Sequence, residues 1–143
     1  MYRKTITGVT LIELLTVIVV LAVLASIAIP SYRSYVMRAQ RADAKTALLQ
    51  LQAAQEKFYL QHNRYTDNVT AAPPVGLGLT ATSEHGFYNI RVELPEDDDQ
   101  SYTAFAEAAP GKGQDADKRC TTFTLTDRGL RGADPGSSEY CWK

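Results

Sequence analysis

The residue most out of place in this chain is Glu13. It is the only charged side chain between Val9 and Ile29, a run otherwise built from aliphatic and small residues. A carboxylate in such a run costs several kcal/mol unless a cation meets it, which marks it as functional by default. The plain alternative is a carboxylate solvated at headgroup depth. Cys120 and Cys141 are the only cysteines. In a small exported head such a pair forms a disulfide, whereas in a cytosolic protein it stays as two thiols. A bridge would close a loop of about 20 residues and contribute roughly 3 kcal/mol. Nothing else points to catalysis. His62 and His85 are the only histidines, and neither lies in an HExxH motif or beside a cysteine pair. Both read as exposed loop residues. Asp97, Asp98 and Asp99 could supply oxygens to calcium but lack the spacing of a calcium loop. They read as a solvated turn, and Asp115 and Asp117 form a second acidic loop. The chain is expected to be no enzyme and to need no metal or cofactor.

The elements that must carry these residues divide the chain unevenly. Residues 1–8 form a short polar leader with Arg3 and Lys4. Val9–Ile29 follows, 21 residues, or about 32 Å as a helix. That matches a hydrocarbon core of about 30 Å. The stretch is too long and too early for an ordinary secretory signal. It reads as a membrane-spanning helix, assigned to residues 9–30. The membrane span in turn favours an oxidising compartment and the disulfide.

Pro30 removes one helical hydrogen bond and crowds the preceding turn. A kinked but continuous helix is expected there, rather than a break between two helices. Residues 31–60 read as an amphipathic stem. Ala44, Ala47, Leu48, Leu51, Ala54 and Phe58 recur at helical spacing. Arg41, Asp43, Lys45, Gln52 and Lys57 are placed on the opposite face. Residues 61–143 form the head. It opens with a loop to Glu84, rich in Asn, Pro and Gly. Strands are expected at Phe87–Leu94, Tyr102–Ala108 and Thr121–Thr126, where apolar residues alternate. Pro95–Gln100 would turn the first into the second. A small sheet is marginal alone, so the helix stripe should cover one of its faces. The fold class is α+β: a long N-terminal helix on a small antiparallel sheet, with a C-terminal disulfide loop.

Gly8-Val9-Thr10-Leu11-Ile12-Glu13-Leu14, behind a basic leader and ahead of a long apolar run, resembles the signature of type IV prepilins. Val9 departs from it, because most members carry Phe there. The head is similar to PilE-type minor pilins in Glu56–Tyr59, Asn63–Thr66, the stretch Ala109–Cys120 with Gln114 and Asp117, and the closing Cys141-Trp142. The resemblance implies the type IV pilin fold. It implies cleavage by a prepilin peptidase between Gly8 and Val9, and N-methylation of Val9. Glu13 would pair with the Val9 amine of a neighbouring subunit and set axial register, and Pro30 would mark a kink that melts on assembly. The implied partners are other major and minor pilins, the peptidase and an inner-membrane assembly platform. The leader would face the cytoplasm and the head the periplasm, then the cell surface. The basic residues beyond the span, Arg33, Arg38, Arg41 and Lys45, alone would favour the reverse orientation.

Charge sharpens the choice of function. Residues 31–60 carry five basic and two acidic side chains, whereas residues 61–143 carry eight and thirteen. A basic stem below an acidic head suits packing between subunits or attraction to anionic lipid. The leading reading is a minor pilin that primes or supports pilus assembly. One alternative is a type II secretion pseudopilin, which a calcium site in the head would favour. The other is an adhesin or DNA-binding module at the pilus tip. DNA binding needs an exposed basic track, and in the acidic head only Lys112, Lys118, Arg119, Arg128 and Arg131 gather near the disulfide loop. Nucleic acid is therefore not expected as a partner.

Overall fold

A computed structural model describes residues 9–143. Gly8 and the rest of the leader lie outside the described residues. Helix α1 spans Leu11–His62 as one unbroken element of 52 residues, with Pro30 inside it. Thr10 starts it: its hydroxyl accepts the Glu13 amide at 3.3 Å. This is one half of a capping box, the T-x-x-E arrangement in which a hydroxyl satisfies one of the free amides of the first turn.

Up to Val36 the helix stands as its own compact unit. Between residues 9 and 30 every side chain but Ala25 is exposed. The stretch is long and apolar enough to cross a membrane. Its few hydroxyls are tied back to the helix: Thr16 donates to the carbonyls of Ile12 and Glu13 at 2.8 and 2.9 Å, and Ser26 to that of Val23 at 2.7 Å. Such bonds leave no donor seeking water in hydrocarbon.

The second unit, Met37–Lys143, holds the head and the remainder of α1. Four strands follow in sequence order: β1 Tyr88–Glu93, β2 Thr103–Ala108, β3 Cys120–Thr126 and β4 Arg131–Pro135. They pair antiparallel as β1-β2-β3-β4. Tyr88, Ile90 and Val92 of β1, Ala104 and Ala106 of β2, and Phe123 and Leu125 of β3 point into one core. Ala44, Leu48, Leu51 and Phe58 of α1 fill its other side, so the stem stripe covers the sheet as its periodicity requires. The short helix α2, Ser138–Cys141, is capped by the Ser137 hydroxyl, which accepts the Tyr140 amide at 3.3 Å.

Three strand expectations match to within a residue at either end. Strand β4 is new. Its sequence, Arg-Gly-Ala-Asp-Pro, has no β-branched residue and reads as a turn. It pairs because the tight turn after Thr126 returns the chain onto β3, Gly129 (φ 74°) supplying the left-handed residue. The helix also runs two residues past Leu60. His62 is therefore its last residue and half-buried, its ring 4.4 Å from that of Phe58, instead of lying in a loop.

Candidate functional site: the disulfide-closed edge of the head

The stem stripe extends beyond its apolar members. Stepping three residues back from Ala44 reaches Arg41, and four on from Leu51 reaches Gln55. Both are buried, which corrects the placing of Arg41 on the solvent face. Periodicity puts them on the core side, and polarity alone had assigned Arg41 elsewhere. Each is matched by a partner distant in sequence, which is why no local pattern reveals it.

Arg41 forks onto Asp117: Nε to Oδ2 at 2.7 Å and Nη2 to Oδ1 at 3.0 Å. The side chains are 7% and 5% exposed. Burial by itself would loosen the Arg41 proton, but the Asp117 carboxylate more than restores it and leaves the guanidinium above its ordinary range. Gln114, in a 3-10 turn at Gln114–Ala116, donates to the Met37 carbonyl at 3.0 Å and to the Tyr88 hydroxyl at 2.7 Å. Burial pushes the Tyr88 hydroxyl up to about 12. Together these bonds pin the segment before Cys120 to the stem.

Cys120 and Cys141 are joined, their Cα atoms 5.8 Å apart. Three cation–aromatic pairs on two rings flank Cys141. Tyr140 lies under the guanidinium of Arg119, at 5.5 Å, and faces Arg41 at 5.1 Å. Trp142 lies under Arg131 at 5.1 Å, and its indole N–H donates to the Gly132 carbonyl at 2.8 Å. Lys45 lies close enough to Arg41 and Arg131 that, with burial as the larger cause, its ammonium titrates below its ordinary range. Lys45 also donates to the Lys143 carbonyl. The C-terminal tail thus gathers Arg41, Arg119 and Arg131 onto two rings, while Lys143 Nζ faces Glu139 at 3.5 Å. Arg128 does not join them: it sits in the β3–β4 turn beside Asp127, at the end of β3 remote from Cys120.

Asp98 and Asp115 serve their own loops. Asp98 accepts the Gln100 amide at 2.8 Å and the Ser101 hydroxyl at 2.7 Å, and Asp115 accepts the Gly111 amide at 3.1 Å. Among the described residues no three His, Cys, Asp or Glu side chains converge as metal ligands would. At the other end of the head, Gln55 exchanges two hydrogen bonds with the Thr66 backbone, at 2.6 and 3.2 Å. Rings of Tyr59, Tyr65 and Tyr102 meet in sequence, the first pair tilted and the second edge-on, with centroids 4.7 and 4.8 Å apart.

A long N-terminal helix, a four-stranded antiparallel sheet over its second half and a disulfide-closed C-terminus define the type IV pilin class. The prokaryotic N-terminal methylation motif matches residues 3–29. The chain belongs to the family described as type IV minor pilin ComP, DNA uptake sequence receptor, whose profile matches residues 30–124. No curated protein matches the chain significantly. The non-core minor pilin PilV of Neisseria meningitidis, at 18% identity, aligns over 73% of this chain and 95% of its own with a TM-score of 0.52, a likeness of fold alone. A type IV pilin from Shewanella oneidensis aligns over 75% of this chain and 98% of its own, at 18% identity and a TM-score of 0.49.

Proposed function

We propose that this chain is a minor subunit of a type IV pilus, cut after Gly8 and built into the filament through residues 9–30 to prime or support assembly. The carrying observation is the arm: an uninterrupted apolar helix whose side chains are almost all exposed, with a single carboxylate near its start. Before assembly a bilayer covers that surface, with the leader in the cytoplasm and the head in the periplasm. Afterwards the arms of neighbouring pilins cover it. The role is structural, and its partners are other pilins, the prepilin peptidase and the assembly platform. Deletion of the gene should strongly reduce surface pili, counted by shearing and electron microscopy. Unchanged piliation would remove the assembly role.

A second reading concerns the head: capture of DNA along the disulfide-closed edge. The family is described as a DNA uptake sequence receptor. The net acidity of the head counted against nucleic acid, but Arg119 and Arg131 are exposed and seated on aromatic rings. Cations interleaved with aromatics suit a phosphate backbone and its bases. Full-length protein in micelles should bind duplex DNA with a steep salt dependence. Arg119→Gln and Arg131→Gln should each flatten the log–log salt slope by about 1. An unchanged slope in both variants would place any DNA contact elsewhere.

A further inference from the structure

Asp43 stands on the stem helix facing the turn that leads into β1. Its side chain is 7% exposed, whereas that of His85 opposite is 67% exposed. One oxygen, Oδ1, takes both polar groups of His85: the ring Nδ1 at 3.0 Å and the backbone amide at 3.4 Å. The other oxygen, Oδ2, is buried and accepts no hydrogen bond. The Ser83 hydroxyl, which accepts the Tyr88 amide at 3.0 Å, sits beside this carboxylate and favours its charged form. A buried carboxylate is costly unless a cation compensates it. Within this contact His85 is the side chain that can become that cation.

The turn matters because of what it borders. Ser83 and Glu84 line an open cleft of about 500 Å³ together with Ala47, Gln50 and Leu51 of the helix and Leu79 and Ile90. The turn is secured on its strand side by the Ser83 amide to the Tyr88 carbonyl at 2.9 Å. On its helix side it is tied by His85 to Asp43. The His85 ring also lies parallel to that of Phe87, centroids 6.1 Å apart, so its position is coupled to the start of the strand.

We propose that Asp43 and His85 form a proton-dependent latch: with the imidazolium in place the Ser83–Phe87 turn is held against the stem by charge as well as by hydrogen bonds, and loss of that charge loosens the turn beside the cleft. The charged groups around the latch act in one direction. The hydrogen bond to Asp43 and its charge hold the His85 proton above the ordinary value of 6.5, and Glu84 adds to this. Burial would raise the Asp43 carboxyl, but Ser83 and His85 outweigh it and keep it below its usual range. Arg41 and Asp117 pair with each other and not with the latch. A histidine raised in the folded state stabilises fully below its unfolded value, and that contribution is lost as pH rises through the raised value. The latch is therefore closed in mildly acid surroundings and opens toward alkaline pH, the range in which histidine is suited to switching.

Nuclear magnetic resonance of the full-length chain in micelles tests this between pH 5.5 and 8.5. The His85 ring should titrate above 6.5. Exchange of the amides of residues 84–87, corrected for the chemical rate, should accelerate about tenfold through that midpoint, while amides in β2 keep their protection. His85→Gln, a surface change, should abolish the pH step and leave the fold intact. A midpoint at or below 6.5, or the same exchange step in His85→Gln, would overturn the latch.

Discussion

Two roles are proposed for Glu13, and different substitutions separate them. As the third helical residue it completes the T-x-x-E pattern begun by Thr10, whose hydroxyl takes the Glu13 amide. As a carboxylate near a helix N-terminus it is favoured by the dipole, and after the proposed cleavage it would lie one turn from the new Val9 amine. Glutamine serves a capping box as well as glutamate does but carries no charge. If pairing with a neighbouring Val9 amine sets register, Glu13→Gln should exclude the subunit from sheared filaments as thoroughly as Glu13→Ala. If capping is the role, Glu13→Gln should assemble normally. Immunoblots of sheared pili, with membrane levels as control, decide between the two. The charge anomaly at Glu13 was plain in the sequence. The capping box was also written there, in Thr10-Leu11-Ile12-Glu13, but was eclipsed by the more conspicuous charge.

Among the elements, the stem helix is both one wall of the core and the post to which the disulfide-closed segment is tied. The Arg41–Asp117 fork makes that tie. Removing one partner of a buried ion pair costs more than the pair contributes, because the survivor is left uncompensated. Asp117→Asn should therefore destabilise the head by about 3 kcal/mol, whereas the double change Arg41→Met with Asp117→Leu should recover most of that loss. Urea unfolding followed by Trp142 fluorescence measures both. Regular elements were legible because burial imposes a period: the stem stripe and the alternations Tyr88-Ile90-Val92 and Tyr102-Ala104-Ala106 each repeat over several residues. Strand β4 was not, since its residues have no strand preference and are held by pairing to β3 and by the Trp142 indole on Gly132. Arg41 was misread, and Gln55 passed over, for a related reason: their partners, Asp117 and the Thr66 backbone, are brought near only by the fold.

For the molecule as a whole, the two ends need different surroundings. The arm leaves a continuous apolar surface exposed, far more than a soluble monomer tolerates, so it demands lipid or other arms. The head is a closed core with polar edges and needs neither. Cleavage after Gly8 would join these demands, since it frees the amine that makes a carboxylate in the arm tolerable as the subunit leaves the bilayer. The most direct test is mass spectrometry of pili sheared from cells and purified. The account predicts a scarce component whose first residue is Val9, carrying an N-methyl group, with Cys120 and Cys141 linked. A chain found only in membranes with Met1–Gly8 still attached, and never in sheared filaments, would contradict it.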